Sequence, residues 1–256
     1  MKRIIAVANQ KGGVGKTTTT LNLGTALAHS GFKTLLIDFD PQANLSEYLQ
    51  YTPDSDPTIS DLMAITAAGR INNEIIRASI RHNETNGVDY IPVDISLAQT
   101  EQRIITALSR ETILKRILSS EEFSEYHYIL IDCLPSLGIL LINALTASTD
   151  VIVPTQTQKF SADGLKSLTD VINQVTETLN PELKLCGILP TMVDNTNTSR
   201  ATLERFKDDY DDKVFQVVIH KSVEAVKSSE KGKALCLSKN KLGSEYISLA
   251  KEISEG

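Results

Sequence analysis

The sequence predicts an α/β fold, a doubly wound, mostly parallel sheet with helices on both faces. Three observations point there. Short continuous apolar runs rich in Val, Ile and Leu recur along the chain, as strands buried on both faces require. Longer amphipathic stretches alternate with them, the rhythm of βαβ units. The first run passes straight into a glycine-rich loop and then a helical pattern, an order suited to holding an anion. The 256 residues, 41% hydrophobic and 23% charged with no Trp, suit one domain over residues 1–256 with a sizeable core.

In chain order, strands are expected at Arg3–Ala8, Thr34–Asp38, Val88–Pro92, Tyr128–Asp132, Val151–Pro154, Leu185–Val193 and Val214–Ile219. Helices fill the gaps. Ala162, Leu165, Leu168, Ile172, Val175 and Leu179 fall at spacings of three and four, which places them on one helical face, and Leu242, Tyr246, Leu249 and Ile253 do the same near the C-terminus. Residues 52–85, with Pro53, Pro57, Gly69 and several Asn, read as an excursion from the core, mostly helical.

Composition excludes several classes. Cys133, Cys186 and Cys236 are scattered and odd in number, so neither a disulfide framework nor a Cys-x-x-Cys metal site is indicated. His29, His82, His127 and His220 are isolated and suggest no metal. The opening apolar stretch of about six residues is too short for a signal peptide or a membrane span, so a cytoplasmic protein with no membrane partner is expected. A net charge of −6 offers no general attraction for nucleic acid, so any DNA binding needs a local patch. One candidate lies between Ile219 and Lys241, where Lys221, Lys227, Lys231, Lys233, Lys239 and Lys241 face Glu224 and Glu230. A solvated lysine-rich surface is the alternative reading.

The strongest motif is Gln10-Lys11-Gly12-Gly13-Val14-Gly15-Lys16-Thr17-Thr18. Its glycines let the backbone wrap an anion, and the helix N-terminus that follows adds partial positive charge. Gly12 to Thr18 are thus expected to form a phosphate cradle, as a nucleotide such as ATP requires. Lys16 can then reach the β- and γ-phosphates and the Thr17 hydroxyl can coordinate Mg²⁺. A second signal, Leu35-Leu36-Ile37-Asp38-Phe39-Asp40-Pro41-Gln42-Ala43-Asn44, ends a buried strand in two carboxylates, where a parallel sheet takes its ligand. Asp40 can position or activate the attacking water, with Asp38 nearer the metal's hydration shell; a turn and helix cap is the alternative. A third, Tyr128 to Asp132, delivers one acid at a strand tip, suited to holding Mg²⁺ through a bound water. Cys133 beside it has no local base and reads as a small buried hydrophobe.

Gln10 stands where an ordinary G-x-x-x-x-G-K-[ST] loop has its first glycine, and Lys11 follows at once. This K-G-G-x-G-K-T loop resembles the deviant Walker A loop of the ParA/MinD group of P-loop NTPases, and D-x-D-P-Q-x-N resembles that group's switch motif. The resemblance implies that Lys11 reaches across a homodimer interface to the partner's ATP, a second cation that offsets transition-state charge as an arginine finger does. Asp132-Cys133-Leu134-Pro135-Ser136 is similar to the family's I-D-x-P-P-S, with Leu134 a departure. Matches at Ser136-Leu137-Gly138, Pro154-Thr155-Gln156 and Gly187 to Asp194 extend the likeness over nearly the whole chain, and imply contacts to the base near Thr191, Met192 and Asp194.

Within the family, a first core strand at the very start leaves no room for an N-terminal helix-turn-helix domain, so the short ParA/Soj-type partitioning ATPases are the expected branch. The tail from Ser244, with Glu245, Glu252 and Glu255 against Lys251, argues against a basic membrane-binding helix. The resemblance implies an ATPase, slow and partner-stimulated, that binds DNA non-specifically as an ATP dimer and is stimulated by a ParB-type centromere-binding protein. Where relatives carry arginines in their DNA-binding stretches, this chain has Asn195-Thr196-Asn197 and His220-Lys221-Ser222-Val223-Glu224, leaving Arg200, Lys221, Lys227, Lys231 and Lys233 as the candidates. The runner-up reading keeps the ATP switch but positions a protein complex for secretion, conjugation or chemosensing. A metabolic P-loop enzyme would need a second acid–base set, which the sequence does not show, and would leave Lys11 unexplained.

Overall fold

A computed structural model describes residues 2–157 and 161–255, with 161–163 described by backbone alone. Met1 and Gly256 of the expected domain, and the side chain of Ala162, lie outside the described residues. The elements run β1 (Arg3–Val7), α1 (Lys16–His29), β2 (Thr34–Phe39), α2 (Asn44–Tyr48), α3 (Ile59–Ala67), α4 (Asn73–Ser79), β3 (Arg81–Asn83), β4 (Val88–Ile91), α5 (Ser96–Ile104), α6 (Ile113–Leu118), β5 (Tyr128–Cys133), α7 (Ile139–Ala147), β6 (Asp150–Gln156), α8 (Ser161–Thr178), β7 (Lys184–Thr191), α9 (Asn197–Tyr210), α10 (Glu224–Glu230) and α11 (Lys241–Glu255).

Among the described residues the strands form a seven-stranded sheet in the order β3-β4-β2-β5-β1-β6-β7, parallel except for the β3–β4 pair. Every residue of β2 and of β5 is buried, which is why both read as unbroken apolar runs. Side chains alternate between two cores. One face packs Ile4, Leu35, Ile37, Ile129 and Ile131 under α3 and α5 to α8. The other packs Ile5, Leu36, Leu130 and Ile152 under α1 and α11. Helices on both faces make the sheet doubly wound.

Two details differ from the sequence expectation. Val214–Ile219 is not a regular strand; isolated parallel bridges join Val214 to Ile188 and the next residue after the run, His220, to Val193. The cause is competition for its donors. The Glu252 carboxylate on α11 accepts the backbone N–H groups of Gln216 and Val217 at 2.9 and 3.2 Å, so a ladder cannot continue there. The second is β3, a short polar strand inside the 52–85 excursion, which otherwise folds as α3 and α4. Its position follows from Arg81, which donates to the carbonyls of Asp56 and Pro57 and to Asp54.

Candidate functional site

Topology brings three motifs to one end of the sheet. The strand β5 lies between β2 and β1, with Asp132 in register with Asp38 on one side and Val7 on the other. Both acids therefore sit at one level beside the loop that follows β1. In that loop Gly13 and Gly15 take φ values of +70° and +89°, a region costly for side-chain-bearing residues. Gly15 immediately precedes α1, so the loop sits at a helix N-terminus, whose free N–H groups and dipole favour an anion.

The cradle is tied from below. Thr17 Oγ1 donates to Asp132 Oδ2 at 2.7 Å, and Thr20 Oγ1 donates to Asp132 Oδ1 at 3.4 Å. The Asp38 carboxylate accepts both the N–H and the hydroxyl of Ser46 at 2.7 Å, which fixes the first turn of α2. Asp40 accepts from the Gln42 N–H at 3.0 Å, so the turn reading of this segment and its placement at the site hold together. Asp40 lines a cavity of about 590 Å³ with Gly12, Gly13, Gly15, Lys16, Thr17 and Thr18.

Burial dominates the electrostatics. It pushes the Asp132 carboxyl up to about 8, with Asp38 adding repulsion, and pushes Asp38 up to about 7 against the two Ser46 bonds. Burial also lowers Lys16, an effect that outweighs attraction to Asp132. Lys16 is 7% exposed, and its ammonium donates to the Lys11 carbonyl at 3.4 Å. The Cys133 thiol is pushed far up by burial, as suits an inert hydrophobe.

The donor set fits a hard divalent cation held with phosphate. Thr17 supplies a hydroxyl bonded to the Asp132 carboxylate, with Asp38 beside Asp132 on the next strand and bonded to Ser46, while among the described residues no group of three or more His, Cys, Asp or Glu converges as an all-protein metal site. That is the pattern expected when substrate oxygens and water complete the shell.

Lys11 is placed differently. Its side chain lies outside the cradle and donates to Gln156 Oε1 at 3.3 Å, beside a second cavity of about 410 Å³ walled by Asn9, Pro135, Ser136 and Leu137. Gln156 also donates to the Gly13 carbonyl at 2.7 Å and to Met192 Sδ, while Asn9 links the loop to the Pro154 carbonyl at 2.8 Å. Neither is among the site residues that the sequence leads one to expect. A polar side chain at the tip of a buried apolar strand is the signal that could have found them.

The three residues expected near the base separate. Met192, at φ +51°, lines the larger cavity. Thr191 is buried, and its hydroxyl donates to the Val14 carbonyl at 2.9 Å, which supports the loop from behind. Asp194 accepts the N–H and hydroxyl of Thr196 just before α9 and lines another cavity with His220 and Lys221. Of the candidate DNA-binding residues, Lys221, Lys227, Lys231 and Lys233 are all exposed on the α10 segment, with Lys227 paired to Glu224 at 2.9 Å. Arg200 lies on α9 and donates to the carbonyl of Asn195, which lines the same cavity as Lys221. Sequence reading also missed that Ala225, Val226, Ser229 and Glu230 of α10 wall the larger cavity opposite the cradle.

Comparison with known proteins agrees with this geometry. The model of an AAA domain family (AAA_31) matches residues 2–185. The chain is 40% identical to the sporulation initiation inhibitor protein Soj of Bacillus subtilis over 99% of both chains. It is 38% identical to the chromosome partitioning protein ParA of Caulobacter vibrioides over 98% of this chain and 93% of that one. A solved structure described as cobyrinic acid a,c-diamide synthase from Mycobacterium smegmatis, with bound ATP analogue and magnesium, superposes with a TM-score of 0.85 at 34% identity, covering 99% of this chain and 94% of the other. With a deviant cradle, two strand-tip acids in register and 38–40% identity over nearly the full length of Soj and ParA proteins, the chain belongs to the ParA/Soj group of AAA-type P-loop ATPases.

Proposed function

We propose that this ParA-type ATPase is a switch that closes as a homodimer on ATP and Mg²⁺, binds DNA without sequence preference in that state, and is reset by slow hydrolysis, serving the partition of chromosomal or plasmid DNA. The observation that carries the reading is the unlike setting of two lysines in one loop. Lys16 is buried within the cradle, whereas Lys11 lies outside it beside the second cavity. One cation serves the chain's own phosphates; a second at the rim is suited to phosphates held by another copy.

In this reading the backbone of Gly12 to Thr18 and the Lys16 ammonium hold the phosphates, and Thr17, with Asp132 and Asp38 behind it, holds Mg²⁺. The ion, when bound, offsets phosphate charge. Asp40 orients the attacking water and draws its proton, and Met192 flanks the base. A ParB-type partner stimulates the reaction. Binding to the nucleoid follows from DNA binding, and no helix among the described residues is long and apolar enough to cross a membrane.

Sedimentation with ATP, ADP and no nucleotide tests the switch. Wild type should dimerise with ATP, Lys16→Ala should fail to bind nucleotide, and Lys11→Ala should bind ATP yet stay monomeric. Dimerisation and hydrolysis at the wild-type level by Lys11→Ala would defeat the assignment.

One observation favours the positioner of a protein complex. The Lys227 ammonium is tied to Glu224, and Lys241 lies 3.8 Å from Glu245, so part of the basic patch is neutralised within the chain. An ATP dimer that ignores DNA would decide for this reading.

A further inference from the structure

The short helix α10 carries two opposite faces. Ala225, Val226, Ser229 and Glu230 line the cavity in front of the cradle, while Lys227 and, just past the helix, Lys231 project from the other side with Glu224. At 100° per residue the two sets lie across the helix axis from each other, and Ser228 falls between them, turned into the protein. Ser228 is 7% exposed.

Ser228 has a specific partner. Its hydroxyl lies 2.6 Å from that of Tyr48, which is itself 4% exposed and whose side chain also borders the same cavity. The single Ser228 proton is committed to the Lys233 carbonyl, so Tyr48 donates and Ser228 accepts. Tyr48 is the last residue of α2, whose first turn is held by Asp38 through the two Ser46 bonds, and the Ser46 hydroxyl also accepts from the Val93 N–H at 3.1 Å. A continuous run of contacts thus joins a strand-tip carboxylate beside the cradle to the lysine-bearing helix: Asp38, Ser46, the last half-turn of α2, Tyr48, Ser228.

Two further side chains pin the segment beyond α10. Asn86 donates to the Gly232 carbonyl and accepts from the Ala234 N–H, and Asn22 of α1 accepts from the Leu235 N–H at 2.6 Å. The far end of the segment is therefore fixed to the body of the domain, whereas α10 itself is tied through Tyr48 to the helix that follows the switch acids.

We propose that the Tyr48–Ser228 hydrogen bond makes Tyr48 a positioning residue, which transmits nucleotide occupancy of the cavity to the lysine face of α10. A ligand shifts a conformational equilibrium only through contacts that differ between states. The cavity face of α10 supplies those contacts, and the Tyr48 bond makes α10 and α2 respond as one unit. The proposal rests on the cavity being the nucleotide site, as argued above, but not on DNA being the polyanion that the lysines meet.

Hydrogen exchange by mass spectrometry on the full chain, with and without a non-hydrolysed ATP analogue and Mg²⁺, separates the two. Amides of the cradle, residues 12–18, report binding; the difference at residues 224–237 between wild type and variants that lack the Tyr48–Ser228 bond reports transmission. In wild type both sets should slow with nucleotide. Tyr48→Phe and Ser228→Ala, which each remove one hydroxyl, should leave cradle protection intact and cut the slowing at 224–237 about fivefold, the scale of one buried hydrogen bond. The double variant should do no more than Ser228→Ala alone, because Ser228→Ala already removes the Tyr48 bond together with its own bond to the Lys233 carbonyl. Unchanged protection of 224–237 in Tyr48→Phe would overturn the proposal, as would its absence in a wild type whose cradle is protected. No protection of the cradle would instead overturn the nucleotide reading itself.

Discussion

The two ends of the sheet are built on opposite rules. At the amino ends of the strands, charges meet partners. Arg3 makes a two-pronged bond to Asp150 at 2.8 and 3.1 Å and donates to the Ile253 carbonyl at 2.7 Å, tying β1, β6 and α11 together. Tyr126 donates to Asp89 at 2.7 Å, and Lys33 pairs with Glu125. At the carboxyl ends, Asp38, Asp40 and Asp132 crowd one another, and burial raises two of them while lowering the one lysine among them. The first end is closed on itself and serves stability; the second holds its charges in a form that a phosphate and a divalent cation would complete.

Substitutions should separate the ends. The largest effect is expected at the carboxyl ends. Lys11→Ala and Asp40→Ala should each lower partner-stimulated ATP hydrolysis by about 10²–10⁴-fold, while thermal unfolding stays close to wild type. Retention of hydrolysis by Asp40→Ala would move the water-orienting role to another group. At the amino ends Arg3→Ala should do the reverse, lowering stability in urea by about 2 kcal/mol, some 30-fold in the folding equilibrium, with turnover per folded molecule unchanged. Equal damage to turnover would break the comparison.

A smaller effect is expected on the α10 face. Lys221→Ala/Lys227→Ala should weaken ATP-dependent binding to random-sequence duplex by about tenfold and flatten its salt dependence by up to about two phosphate contacts. A separate effect, on stability rather than on binding, concerns pH. The Asp38 and Asp132 carboxyls titrate near 7 and near 8 in the fold, well above the unfolded value of about 3.9. The folded chain without nucleotide or metal then binds more protons than the unfolded chain from about pH 4 upward, so its stability should fall as pH rises toward about 8 and level off beyond. Urea midpoints across that range check the slope, and Asp132→Asn should flatten it.

The same contrast explains what the sequence made legible. Strands β2 and β5 were readable because burial on both faces leaves nothing but apolar side chains until the terminal acid. The cradle was readable because its parts are consecutive in sequence. The run Val214–Ile219 misled because its apolar side chains suit a strand, whereas a carboxylate from α11 captures its donors. The strand β3 was invisible because Arg81, His82 and Asn83 carry no apolar signal and are set by the loop that Arg81 grips. The role of α10 as a wall of the site depends on contacts between residues far apart in sequence, such as Tyr48 and Ser228, which no local pattern encodes.

The most direct test of the proposed switch is the binding of a random-sequence DNA duplex in ATP, in ADP and without nucleotide, at low and near-physiological salt. Binding that requires ATP and weakens with salt is the predicted result. A protein that holds ATP and dimerises yet leaves the duplex free at both salts would contradict it.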